Sequence, residues 1–204
     1  MPRLAISVEG QTELEFCKQI LNPYLMQYNI YVFPVVITTK RILSGLSHKG
    51  GSVCFQRVIN EVTKLLKSFD YVTTFYDFYR FGDKTPNETP DELCIRIKSA
   101  LGNPVNFTEY VQVYEFETLL FSDPQTVGRS LNSEEIIHEM LAVVKECGEA
   151  EKINDNPNTA PSKRLDNIFR ANLKTGYDHA FYGPTLASDI GLTAIRAKCP
   201  RFHN

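Results

Sequence analysis

The chain has 204 residues, 43% hydrophobic and 23% charged, with a formal net charge of −2 and a pI of about 6.1. That is enough sequence to bury the core of one α/β domain with a small appendage. The balance excludes the global basic field of a protein that binds nucleic acid by charge alone, although an acidic site acting on nucleic acid is compatible with it. Five cysteines (Cys17, Cys54, Cys94, Cys147 and Cys199) are scattered without a CxxC pair. That pattern predicts reduced thiols and a cytoplasmic location. Met1-Pro2-Arg3 opens onto a strand pattern instead of a signal peptide, and no apolar run approaches membrane-spanning length. A soluble protein without a membrane partner is expected.

The first predicted element is a short, nearly continuous apolar strand over Leu4–Val8, ending at Glu9-Gly10. From Thr12 the period becomes helical, with Leu14, Cys17, Ile20, Leu21, Tyr24 and Leu25 on one face. Thr12 and Glu15 have the spacing of a capping box. A second strand is predicted at Ile30–Ile37, then a polar segment over residues 38–52, then a helix over Phe55–Leu66. The third strand runs from Tyr71 to Tyr76 and ends on Asp77. A Pro-rich loop leads to a helix over 89–101, and the fourth strand, Tyr110–Tyr114, runs into Glu115. Helical patterns follow at 133–147, Lys163–Leu173 and Leu192–Lys198.

This alternation predicts a mostly parallel four-stranded sheet flanked by helices, a Rossmann-like α/β core over residues 1–125. Residues 126–204 form a helical region packed on it. In an open parallel sheet, ligands gather beyond the carboxyl ends of the strands. Three of the four predicted strands end in acids: Glu9 with Glu13 one helical turn on, Asp77, and Glu115 with Glu117 close behind. Several carboxylates stay ionised together only when cations neutralise them, and hard oxygen ligands suit Mg2+ or Mn2+. Two such ions about 3.5–4 Å apart activate water and stabilise the leaving oxygen of a phosphodiester. The ordinary alternative for Glu13 is a helix-dipole carboxylate. Glu115 and Glu117 divide between ligand and support.

"VEGQTE", "YDFYRF", "VYEFETLLFSD", "PSKRL", "YGPTLASDIGL" and "AIRAKCPRF", in that order, resemble a Toprim-like domain-of-unknown-function family, number 4276. It is related to the Toprim domain of topoisomerases, primases and OLD (overcoming lysogenisation defect) nucleases. The resemblance spans nearly the whole chain. It implies a glutamate after the first strand, Glu9, as general acid/base or metal ligand, and an acidic motif after the third. Asp77 fits the first acid of that motif, while Tyr79 stands where a second aspartate is usual. Lys163 and Arg164 in "PSKRL" are candidates for holding a phosphate or stabilising developing charge, against the ordinary reading of a solvated first helical turn. His179 takes a position where relatives more often carry lysine. His48, Lys49, Gly50 and Gly51 form a basic, glycine-containing loop, and His138 belongs to a helical pattern.

The expected function is a metal-dependent nuclease acting on DNA or RNA, with Glu9, Asp77, Lys163 and Arg164 catalytic and Glu9, Glu13, Asp77, Glu115 and Glu117 around the metal. The chain has no GxxxxGK[ST] motif. The resemblance adds a separate ABC- or OLD-type ATPase as partner and a role in bacterial defence against phage. The alternative is a non-catalytic Toprim-like module that binds and regulates such an ATPase.

Overall fold

The computed structural model describes residues 1–37, 40–41, 47–48, 53–153 and 156–204, with 40–41 and 47–48 described as backbone only. The basic loop of His48, Lys49, Gly50 and Gly51 therefore lies outside the described side chains. By compactness the chain divides into two contiguous units, Met1–Gln112 and Val113–Asn204.

The first unit is built on strand β1, Arg3–Val8, whose residues Ala5 to Val8 are all buried. A strand covered on both faces reads as a continuous apolar run, and this one sits in the interior of the sheet. Helix α1, Gln11–Phe16, starts from Gly10. A widened π-turn, Cys17–Leu21, and helix α2, Asn22–Met26, continue the same path. Pro23 has no N–H to return to the preceding turn, and the widened turn lies just before it.

Strand β2, Tyr31–Val36, pairs in parallel with β1 and forms one edge of the sheet. Tyr31 and Ile37 donate their N–H groups to Pro2 and Val8, so the alternate residues 32, 34 and 36 face outward. Two of those outward positions offer no donor. The Val32 N–H is taken by Asn22 Oδ1 at 3.1 Å, and Pro34 has none. Strands β3, Lys40–Arg41, and β4, Ser47–His48, form a separate antiparallel pair.

Helix α3, Phe55–Leu65, buries Val58, Val62 and Leu65. Strand β5, Tyr71–Phe75, pairs in parallel with β1 on the side opposite β2. Helix α4, Pro90–Ala100, opens on a reciprocal cap: Thr89 accepts from the Glu92 N–H while Glu92 accepts from the Thr89 N–H. Strand β6, Phe107–Thr108, completes an all-parallel sheet in the order β2-β1-β5-β6. The expected fourth strand, Tyr110–Tyr114, is thus shorter and earlier. Beyond β6 a single bridge joins Asp77 to Gln112. Tyr114, in the left-handed region at φ 59°, ends the extended path. One core layer gathers Ala5 and Val72 from the sheet, Val58 and Val62 from α3, and Leu93 and Ile97 from α4.

The second unit is helical. It begins with a 3-10 helix, Phe116–Ser122, every residue of which is buried. Helix α5, Pro124–Ser130, is capped by Asp123, and α6, Glu134–Cys147, by Ser133. A short 3-10 turn, Ala150–Lys152, precedes α7, Pro161–Leu173. Helices α8, His179–Ile190, α9, Leu192–Lys198, and α10, Pro200–His203, follow. The division read from the sequence at 125/126 lies inside α5. The chain divides earlier because "EFETLLF" belongs to the helical unit instead of extending the sheet. Among the described residues, no helix is long and apolar enough to cross a membrane.

Candidate functional site

The β1–β5 register ends with Val8 opposite Phe75. Glu9 and Asp77 therefore leave neighbouring parallel strands at the same, carboxyl-terminal edge. Both are half-buried. Beneath them the Tyr76 hydroxyl donates to Ser7 Oγ within the core. Burial raises the pKa of that hydroxyl; the Ser7 bond opposes the rise, and the charges of Glu61 and Glu9 add to it.

Glu13 is buried, and its Oε2 accepts the Gly10 N–H at 2.9 Å. This corrects the expected Thr12–Glu15 capping box. Thr12 lies inside α1, and Glu15 instead receives side-chain donors from Gln11, Lys18 and Gln19. The helix-start role of Glu13 fixes the turn that carries Glu9. Gly10 itself has φ −148°, extended backbone open to any residue, so no glycine-only conformation is needed there.

Behind Asp77, Lys84 Nζ donates to the carbonyls of Phe78 and Tyr79 at 2.8 and 3.1 Å. It also lies 4.2 Å from the centroid of the Phe78 ring. The turn after Asp77 is thus clamped by an ammonium that no sequence pattern pointed out. Its signal, a lysine shortly after the acidic strand end in "YDFYRFGDK", becomes meaningful only once the turn is formed.

The remaining candidates lie in the second unit. Glu115 is buried and its Oε2 accepts the Ser162 N–H at 2.9 Å, at the first turn of α7. Glu117, also buried, contacts His179 Nδ1 through Oε1 at 2.6 Å. Arg164 makes a two-pronged ion pair with Glu146, at 2.9 and 3.2 Å, and donates through Nε to the Thr159 carbonyl. Lys163, one residue before it, is exposed, and so is His138 on α6. Among the described residues, no group of three or more His, Cys, Asp or Glu side chains is placed to hold a metal ion. The carboxylates that strand pairing brings to one edge in the first unit are Glu9 and Asp77.

No curated protein matches the chain. Two crystal structures of homoserine dehydrogenase from S. aureus, determined at pH 8.5 and pH 7.5, are similar at 10% and 9% identity, each with a TM-score of 0.29. The match covers 87% of this chain and 53% of the dehydrogenase, so the chain spans about half its length. A likeness that slight carries no weight for fold or function. A family model described as "Domain of unknown function (DUF4276)" matches residues 8–204, and the chain belongs to that family.

Proposed function

We propose that the protein is a Mg2+- or Mn2+-dependent nuclease whose metal is held by Glu9 and Asp77 at the carboxyl edge of the parallel sheet. Its substrate in this reading is a phosphodiester of nucleic acid, DNA first, and its partner a separate ABC- or OLD-type ATPase in defence against phage. The observation that carries the reading is the β1–β5 register, which brings two carboxylates separated by most of the first unit's sequence to adjoining strand ends. The donor set fits. Mg2+ keeps most of its waters and is commonly held by one or two carboxylates plus substrate phosphate. A cation bound there supplies charge against the developing negative charge of the phosphoryl oxygens and makes water a better nucleophile.

The chain's own residues supply position. Glu13 holds the Gly10 N–H and with it the turn presenting Glu9. Lys84 holds the turn after Asp77. In the second unit, Lys163 of "PSKRL" is exposed, while the Arg164 guanidinium is paired with Glu146. Glu115 and Glu117 act within the second unit, on Ser162 and His179.

The test is calorimetric titration of Mn2+ and Mg2+ into the wild type, Glu9→Ala and Asp77→Ala, followed by nuclease assays with and without a partner ATPase. Saturable binding that disappears in both variants is the expected result. Absence of saturable binding to the wild type at millimolar metal overturns the catalytic reading and leaves the ATPase-regulating module as the better one.

A further inference from the structure

We propose that the turn directly after Asp77 receives one unpaired base of a single DNA strand, with Tyr79 as the stacking surface and Arg80 as the phosphate contact. The inference rests on the nuclease reading for its choice of ligand, and adds to it a strandedness: single-stranded, not duplex, DNA. The segment is "DFYRF", whose members divide into two kinds. Phe78 and Phe81 are 5% and 3% exposed and belong to the core layer of Val58, Leu93 and Ile97. Tyr79 and Arg80 lie between them, the first half-buried and the second exposed. With both flanking rings packed into the core, the two central residues of the turn are the ones it presents to solvent.

The presentation is rigid. The Phe81 N–H donates to the Phe78 carbonyl at 3.2 Å and closes the turn. On either side, the Phe78 N–H donates to the Gln112 carbonyl at 3.0 Å and the Gly82 N–H to the Val53 carbonyl at 2.7 Å. Lys84 holds the carbonyls of Phe78 and Tyr79 from behind. A surface already ordered in this way loses little conformational freedom when a ligand binds. The Arg80 guanidinium carbon lies 6.0 Å from the centroid of the Tyr79 ring, so cation and ring are offered side by side.

That pairing selects the ligand. An aromatic ring stacks on any nucleobase, and a guanidinium beside it suits the phosphate of the same strand. Inside a duplex the faces of each base are covered by its neighbours, whereas an unpaired base has a face to give. Two residues of chain span at most about 7 Å. The stacked base is therefore set beside the phosphate that Asp77 and its cation handle in the nuclease reading.

The test is fluorescence anisotropy of the full chain with labelled oligodeoxynucleotides of about 12 residues, single-stranded and duplex, in low salt with EDTA. With metal removed, the result does not depend on a cation at Glu9 and Asp77, so this inference and the metal reading fail separately. The wild type is expected to prefer the single strand. Tyr79→Ala is expected to lose roughly 5- to 150-fold in single-strand affinity, the worth of one stacked base, with duplex affinity unchanged. Tyr79→Leu, which keeps bulk without a ring, loses as much, and Tyr79→Phe keeps the wild-type affinity. Arg80→Gln is expected to lower the slope of log affinity against log salt by about 0.7, the share of one phosphate on a single strand. Unchanged single-strand affinity in Tyr79→Ala, or equal losses for both forms of DNA, overturns the proposal. So does a wild type that prefers the duplex or binds neither.

Discussion

Replacement of Glu115 separates a structural carboxylate from a metal ligand. Its Oε2 takes the Ser162 N–H at 2.9 Å in a buried setting, where one of the four unpaired donors of the 13-residue helix α7 would otherwise be left. A hydrogen bond to a charged group is worth about 1.5–3 kcal/mol, and a carboxylate at a partly buried helix start adds up to about 2 kcal/mol that overlaps with it. Glu115→Ala should therefore cost about 3 kcal/mol, or roughly 6–12 °C of melting temperature for a chain of this size. Glu115→Gln keeps an acceptor without the charge and should cost about 1 kcal/mol. Thermal and urea unfolding followed by circular dichroism measure both. Equal losses in the two variants, or a negligible loss in Glu115→Ala, would refute the assignment of this carboxylate to α7. A fall in Mn2+ affinity without loss of stability would make Glu115 a ligand instead.

Gly128→Ala is expected to be severely destabilising, by at least about 3 kcal/mol. A Cβ there would stand 2.8 Å from the Ser133 carbonyl and run into Ile137, and urea unfolding reads the loss. Gly10→Ala should be nearly neutral for stability, since its Cβ would meet only Glu13 Oε2 at 3.5 Å; a large loss in the same assay would contradict the extended backbone found there. Asp166 has its carboxyl held below the ordinary value, first by the Arg170 guanidinium and then by the Tyr177 N–H. A depressed folded-state pKa means stability that is present above the unfolded value near 3.8 and lost as pH falls through the folded one. The stability gap between wild type and Asp166→Asn should therefore close on acidification, and urea midpoints across that range check it. Burial pushes the Cys199 thiol up to about 12, so it should resist a thiol reagent under conditions where the less buried Cys54 and Cys147 are modified, as mass spectrometry would show.

The sheet was legible because its strands carry their own signal. Leu4–Val8 is a nearly continuous apolar run and Tyr71–Phe75 a run of β-branched and aromatic residues, neither with a helical period. Thr89 and Ser133 likewise announce α4 and α6 by side-chain caps. Helices α5, α8 and α10 were not legible. Helices α5 and α10 run only 7 and 4 residues, α8 carries Pro184 inside it, and packing in the second unit, not periodicity, stabilises them. Pairwise chemistry was the least accessible. Glu117 and His179 were each noticed in the sequence, but 62 residues separate them, and only folding makes them partners. Glu13 shows the reverse: its local reading as a helix-start carboxylate is the one its contact with Gly10 supports.

The sheet edge at β2 has a bearing on how the protein behaves at high concentration. An open strand edge recruits other chains because its outward donors and acceptors are waiting for a partner. Here one outward donor is absent by virtue of Pro34 and another is capped by the Asn22 side chain. Asn22 is thus a guard against self-assembly as much as a helix residue. Its replacement by alanine would uncover a donor beside the exposed rings of Tyr31 and Phe33, and stickiness in concentrated solution would rise well before any loss of folded structure.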